Sequence, residues 1–421
     1  MAKNNIINVK IFGKEIGRIG LDLDTAKSSF QYHPDFLESE NYLNIFPKTG
    51  VIKKVSQAQT FSQFNNSTFK GLPPQIADSL PDLFGNLIFK TWLDTKDQKE
   101  ITALEHLAYV SNRGMGALEY DPSIDLPKNT EIDLKEIVEV LKSVLDTKKE
   151  SAGAQLNSDA LINIFKIGTS AGGARPKILI SEHKATGKIQ PGDLEYSEDY
   201  HHYLVKLGLD DETNYPREVV EYCYYLTARE LGINMMDSKL IDNKHFATLR
   251  YDRIAGQKVH TLTASGLTGW DFKYPAVSSY ENLFKLASFL KVPHAQTQEL
   301  YKRMIFNLIY NNTDDHLKNH AFIYNTEIDR WFLSPAYDLT YPLNPLLQYK
   351  RTSRALSING KRTEINLKDV LSIAEMYTVK NAKGIIRNVT AAAGLLEEHM
   401  EAQGVGSRLR ESIMGKALLE F

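Results

Sequence analysis

The sequence predicts an α+β protein in two lobes, the first rich in strands and the second helical. Three observations carry this. Residues 6–23 alternate apolar and polar at period two, residues 161–255 read as strands around one helix, and beyond about residue 265 the apolar positions recur at helical spacing. At 421 residues the chain is too long for a single hydrophobic core. The expected layout is a β-rich subdomain over 1–125, a strand-rich lobe with a glycine-rich loop over 148–258, and a helical lobe over 259–421.

Taken in order, the first hairpin carries Val9 and Ile11, turns at Gly13-Lys14, and returns through Ile16, Ile19 and Leu21. Residues 71–85, dense in proline and glycine, read as a compact loop with short helical pieces, and 121–131 as a linker. A helix is predicted from Asp133, with Glu136 as its capping partner and Leu134, Ile137, Val138, Leu141, Val144 and Leu145 on its apolar face. The polar stretch 146–160 reads as an exposed connection. Strands follow at Ile178–Ile180, Tyr203–Leu207 and Phe246–Tyr251, and the helix over 216–231 begins near Pro216 and stops at Gly232. Ser278 and Glu281 form a capping pair for a helix through Leu283, Leu286, Ala287 and Leu290. The next helix, lined by Leu300, Met304, Ile305, Leu308 and Ile309, stops at Asn311-Asn312, and a hairpin of Ala321–Tyr324 and Trp331–Leu333 follows.

Composition narrows the class. Hydrophobic residues at 42% and charged residues at 24% fit an ordinary folded protein, and a net charge of −2 gives no global basic field for nucleic acid. The single cysteine, Cys223, excludes internal disulfides and cysteine-based zinc clusters; in its apolar run it reads as a small core residue. No apolar signal core opens the chain and no apolar run reaches spanning length, so a cytoplasmic protein without a membrane partner is expected. His-Glu-x-x-His, Gly-x-Ser-x-Gly and paired-cysteine motifs are absent, and His201-His202 reads as a solvent-facing pair.

The chemistry concentrates in Asn312-Thr313-Asp314-Asp315-His316-Leu317-Lys318-Asn319, with Asp338 nineteen residues further on. An Asp, an Asn five positions later and a second Asp beyond a hairpin are the parts of a phosphoryl-transfer site. Asp314 can orient and deprotonate a hydroxyl, while the Asn319 amide oxygen and Asp338 can hold Mg²⁺ on the triphosphate of ATP. A hairpin brings its own ends together, so the three can converge. Asp315 competes for the base role, but the five-residue spacing favours Asp314 and leaves Asp315 as a surface turn residue. His316 and Lys318 can contact the γ-phosphate or a leaving oxygen.

Three further stretches suit a nucleotide. Thr169, Ser170, Ala171, Gly172, Gly173 and Ala174 can bring backbone N–H groups and hydroxyls to phosphate, although neither a Walker nor a Rossmann pattern is present. Lys206 ends an apolar strand and needs an anionic partner; Glu221 in the following helix can supply it, and the pair would position the α/β-phosphates. The segment Leu249-Arg250-Tyr251 can offer backbone groups to adenine, with Tyr251 stacking on the base.

In this order, Gly172-Gly173-Ala174-Arg175-Pro176-Lys177, the strand ending in Lys206, Arg250-Tyr251-Asp252-Arg253, and Asp314-x-His316-x-Lys318-Asn319 with Tyr337-Asp338 resemble the HipA-type serine/threonine kinases, the toxin components of bacterial toxin–antitoxin pairs. The first hairpin and the loop from Gly71 to Asp82 are similar to that family's N-terminal subdomain, so the resemblance covers nearly the whole chain. It implies a two-lobed protein-kinase-like fold with an extra N-terminal β-rich subdomain, and ATP and Mg²⁺ as cofactors. It also implies a small helix-turn-helix antitoxin (HipB-like) that inhibits the kinase and represses the operon, with operator DNA reached mainly through that antitoxin. Known family targets are aminoacyl-tRNA synthetases, whose phosphorylation stalls translation. Family members can be silenced by autophosphorylation of a serine in the glycine-rich loop. Here Gly172 stands where relatives often have that serine, and the nearest hydroxyls are Ser170 and Thr169. Leu249 stands where a glutamate often precedes the Arg-aromatic-Asp-Arg string. The same parts also suit a catalytically silent kinase fold that acts by binding antitoxin and operator DNA, or a kinase of a sugar or antibiotic.

Overall fold

The structure, a computed structural model, describes residues 5–22, 24–25, 27–47, 51–81, 101–123, 134–147, 175–192, 197–209, 215–342 and 353–418. The chain divides into two compact units. The first comprises 1–209, 248–262 and 266–269; the second comprises 210–247, 263–265 and 270–421.

The first unit opens with the expected hairpin. Strands β1 (Ile6–Ile11) and β2 (Lys14–Asp22) pair antiparallel through a turn in which Phe12 and Gly13 both take positive φ. Ile7, Val9, Ile11, Ile16 and Ile19 are fully buried, as the period-two pattern requires. With β3 (Lys27–Tyr32), β4 (Gln59–Thr60) and β5 (Leu118–Asp121) they form an antiparallel sheet of order β4-β3-β2-β1-β5. Gly17 is required where β2 meets β3, because a Cβ there would sit 2.3 Å from the Gln31 carbonyl oxygen. Helix α1 (Ala103–Val110) starts at a reciprocal cap between Thr102 and Glu105. Helix α2 (Leu134–Thr147) buries Leu134, Ile137 and Leu141 at helical spacing. Its expected cap at Asp133, most of the 121–131 linker and the connection after 147 lie outside the described residues.

A second sheet in this unit joins β6 (Lys177–His183) to β7 (Ile189–Pro191) and β8 (Tyr200–Lys206), all antiparallel. The histidine pair is not wholly solvent-facing. His201 is exposed, but strand alternation turns His202 inward, where its Nδ1 lies 2.8 Å from Ser181 Oγ.

The second unit holds α3 (Arg217–Glu230), the β9 (Ser238–Ile241) and β10 (His245–Leu249) pair, α4 (Tyr280–Phe289), α5 (His294–Ile309), the hairpin β11 (Ala321–Asn325) and β12 (Arg330–Leu333), and helices α6 (Leu367–Met376), α7 (Ala382–Ala391), α8 (Ala393–Ala402) and α9 (Ser407–Met414). The last two residues of β10 group with the first unit.

Three differences from the sequence reading have physical causes. Helix α3 groups with the later helices rather than with the strands before it: Tyr224 packs edge-on against Phe306 and donates its hydroxyl to the Tyr310 carbonyl. The cap of α4 is Ser279, accepting from the Asn282 N–H, because Ser278 is buried and donates to the Phe272 and Tyr274 carbonyls. Strand β10 ends at Leu249 instead of Tyr251, where Arg250 turns into a buried ion pair. Cys223 is buried as expected, and that burial pushes its thiol up to about 12. Among the described residues no helix is long and apolar enough to cross a membrane.

Candidate active site

The site grows from the end of α5. Asn311 takes a left-handed conformation (φ 54°), and the Asn312 N–H turns back to the Asn307 carbonyl at 2.9 Å, a helix stop built from residues that tolerate positive φ. The next residues run to a single 3₁₀ turn, Leu317–Asn319, before β11 begins. Within this loop the His316 N–H donates to the Asp314 carbonyl and the Asn319 N–H to the His316 carbonyl, both at 2.8 Å. The Asn319 side-chain Nδ2 also returns to the Asp314 carbonyl at 2.9 Å. The five-residue spacing therefore closes a real turn, and its hydrogen bond fixes which end of the amide is nitrogen.

The hairpin brings Asp338 back beside Asn319, while Asp314 is not among the residues that line their cleft. β11 and β12 pair from Phe322–Leu333 to Asn325–Arg330, and the Ser334 N–H reaches the Ala321 carbonyl at 3.0 Å. Two side chains tie the returning strand to the loop: Tyr337 donates its hydroxyl to the Lys318 carbonyl at 2.8 Å, and Asn312 Nδ2 donates to the Asp338 carbonyl at 3.0 Å. Asp338 sits at φ 55°, a strained setting for a side-chain-bearing residue and one that Asp accepts more readily than most. As a result Asn319 and Asp338 line one cleft, whose buried walls include Arg303, Asn307, Asn312 and Asp315.

The two adjacent aspartates part company. Asp314 is exposed, whereas Asp315 is 1% exposed, so the expectation of a surface turn residue at 315 is corrected. Asp315 accepts the Tyr280 hydroxyl at 2.7 Å and faces Arg354 at 3.9 Å. Burial pushes its carboxyl up to about 6, against the opposing pull of Arg354 and the Tyr280 hydrogen bond. Asp315 is thereby committed to the interior, and Asp314 is the carboxylate left on the accessible side.

His316 packs its ring against Phe272 with centroids 4.9 Å apart. Burial holds its imidazole below the ordinary value, while the charges of Asp314 and Asp338 both pull the other way and Lys318 reinforces the lowering. Both carboxylates thus act on one imidazole. Lys318 carries its ammonium 5.6 Å from the Phe272 ring centre, a cation–π distance.

The nucleotide-facing candidates are more scattered. Thr169, Ser170, Ala171, Gly172, Gly173 and Ala174 lie outside the described residues. Lys206 ends β8 half-buried, opposite Lys177, in the first unit, and Glu221 is 3% exposed in α3 of the second. Leu249 is half-buried at the end of β10, and Tyr251 is half-buried on the turn after it. Arg250 is committed elsewhere: its N–H donates to the His202 carbonyl at 2.8 Å, and its guanidinium forms a buried pair with Asp252 at 2.8 Å. Arg253 adds a second 2.8 Å contact to the same carboxylate, and the Gly116 N–H donates to it at 2.7 Å. Burial, the largest influence on Asp252, would raise its carboxyl, but the two guanidiniums together outweigh it and hold it well below the usual range. This cluster pins the loop at Gly114 and Gly116 to residues 250–253, so the side chain of Arg250 is structural rather than adenine-facing.

Asn307, Tyr280 and Arg354 shape the site without having been singled out from the sequence, and Asn312, the first residue of the stretch read there, proves to be a structural bridge. One signal was present: Asn307 interrupts the apolar face of α5 between Met304-Ile305 and Leu308. One amide oxygen and one carboxylate make a sparse donor set, which suits Mg²⁺, a cation that keeps waters and takes phosphate oxygens. Because Asn319 spends its nitrogen on the Asp314 carbonyl, its oxygen end is turned the other way, as a metal ligand requires. Among the described residues no cluster of three His, Cys, Asp or Glu offers an alternative metal site.

Comparison with known proteins bears on the same regions. The HipA-like C-terminal domain matches residues 169–396, and the HipA N-terminal domain matches residues 7–121. The chain is 23% identical over 386 residues to Y4dM, a kinase-named protein of Sinorhizobium fredii, across 86% of this chain and 83% of that one. Its fold is similar to a solved Shewanella oneidensis MR-1 structure, the toxin–antitoxin HipA with HipB and operator DNA, at a TM-score of 0.66 and 15% identity over 97% of this chain and 96% of that chain.

Proposed function

The chain belongs to the HipA family, and from that premise we propose that it is an ATP-dependent serine/threonine protein kinase acting as the growth-arresting half of a toxin–antitoxin pair. The reading rests on one observation above the others: Asn319 and Asp338 line a single cleft, with Asp314 exposed on the turn that Asn319 closes. Asp314 accepts the hydrogen bond of a target hydroxyl and takes its proton as that oxygen bonds to the γ-phosphorus and the bond to the bridging oxygen breaks. Mg²⁺ held by Asn319 and Asp338 would neutralise charge on the triphosphate. Lys318 and His316 stand beside the path of the transferred group, and Lys206 supplies charge for the α/β-phosphates. Catalysis comes from placement and charge neutralisation rather than covalent chemistry.

The kinase-named relative and the HipB-bound Shewanella structure support the same picture. By analogy with the Shewanella complex the partners are a HipB-like antitoxin and operator DNA, and the family resemblance implies that the antitoxin is a small helix-turn-helix protein and the substrate a translation component such as an aminoacyl-tRNA synthetase. Asp314→Gln is expected to lower phosphate transfer from labelled ATP by roughly a thousandfold while nucleotide affinity stays within a few-fold. Transfer retained in that variant would mean that the base lies elsewhere.

A further inference from the structure

Arg354 lies far along the chain from the loop it holds. Its side chain is 6% exposed. Nη2 donates to the Asn307 carbonyl at 2.5 Å and to the Asn312 carbonyl at 2.7 Å, and stands 3.9 Å from the Asp315 carboxylate. The neighbouring Ala355 N–H donates to the Thr313 carbonyl at 2.8 Å. Four acceptors spanning 307–315 therefore converge on two consecutive residues. A cation at this place also suits the C-terminal end of α5, where carbonyls lack partners within the helix. The grip is passed onward. Asn312 bridges the Asn307 side chain and the Asp338 carbonyl, and Asn307 Nδ2 donates to the Tyr280 hydroxyl that serves Asp315. Arg362 braces the arrangement from behind, donating to the Arg354 carbonyl at 2.9 Å and to the Ser278 carbonyl at 2.8 Å.

We propose that Arg354 is a positioning residue for phosphoryl transfer, clasping both the start of the 312–319 loop and, through Asn312, the backbone of Asp338. It is not a catalytic residue, because its side chain is buried and its Nη2 donates to backbone carbonyls instead of substrate. This deepens the kinase reading and rests on it. Nη2 alone meets both carbonyls and the buried carboxylate, so a lysine ammonium, with three donors on one nitrogen but a shorter reach, keeps part of the clasp. Loss of the clasp lets Asp314 and Asn319 drift without removing either, and a displacement of about 1 Å at such a distance from the chemistry costs on the order of a hundredfold.

The test uses the full-length wild type, Arg354→Met and Arg354→Lys. MgATP turnover gives kcat, a fluorescent ATP analogue gives affinity, and hydrogen exchange reads the amides of 313–319. Arg354→Met is expected to lower kcat by about a hundredfold with nucleotide affinity within about twofold, and Arg354→Lys to recover part of the loss. Exchange of the loop amides should quicken in both variants. Unchanged kcat in Arg354→Met, or unchanged exchange in the loop, overturns the proposal. Equal losses of kcat and affinity, unrelieved by lysine, also overturn it. Absence of turnover in the wild type tells against the kinase reading alone, and the exchange result then decides for or against the clasp. Should Arg354→Met fail to fold, Arg362→Met carries the test. Arg362 donates to the Arg354 and Ala355 carbonyls and also feels the charge of Asp315, and a severalfold fall in kcat at unchanged affinity supports the clasp while an unchanged kcat rejects it.

Discussion

Asp314 and Asp315 illustrate how little in a sequence separates an exposed carboxylate from a buried one. Spacing to Asn319 picks out Asp314 from the sequence alone, but nothing in the sequence reveals that Asp315 is buried, since that depends on Tyr280 and Arg354 arriving from distant segments. The consequence is measurable. An acid whose carboxyl rises from 3.8 to about 6 on folding is bound to its proton more tightly in the folded state, so its ionisation costs stability. Its contribution is fully present below pH 4, is lost as pH climbs towards 6, and amounts to roughly 3 kcal/mol. Denaturant unfolding between pH 4 and 7 should show that downward slope in the wild type, and Asp315→Asn should flatten it. Arg250 teaches the converse lesson. Its motif was legible, yet its guanidinium is buried against Asp252, and a single sequence does not reveal such a buried pair.

The elements were read best where one periodicity ruled. The β1–β2 and β11–β12 hairpins fall where alternation and turn chemistry put them, because both strands and turn are local. Caps were read less well, as the one-residue shift from Ser278 to Ser279 illustrates; which of two adjacent serines caps a helix depends on what else claims the other. Helix α6 has an unambiguous cap, with Asn366 accepting from the Asp369 N–H and Asp369 accepting from the Asn366 N–H. Asn366→Ala should therefore lower stability by about 1 kcal/mol in urea titration, leaving nucleotide affinity unchanged.

For the whole molecule, long-range packing was the least legible property. Helix α3 follows the strands in sequence but belongs by packing with the later helices, a fact carried by Tyr224, Phe306 and Tyr310 meeting far apart in the chain. The Arg250–Asp252–Arg253 cluster is the corresponding long-range tie within the first unit, joining residues near 115 to residues near 252. Asp252→Asn would leave two buried guanidiniums facing a neutral amide, with an expected loss of about 3–5 kcal/mol by thermal or denaturant unfolding. Its depressed carboxyl means that this contribution is held above pH 4 and fades on acidification below it. One further property follows from the lone thiol at Cys223. A sulfhydryl so sequestered and so weakly acidic should ignore maleimide while the protein is native and react once it is denatured, as mass spectrometry would record. The natural protein is then already a blank slate for single-dye chemistry: a cysteine introduced at exposed Tyr274 would take one fluorophore, and a spectroscopist could watch that face respond to nucleotide without first stripping the chain of competing sulfur.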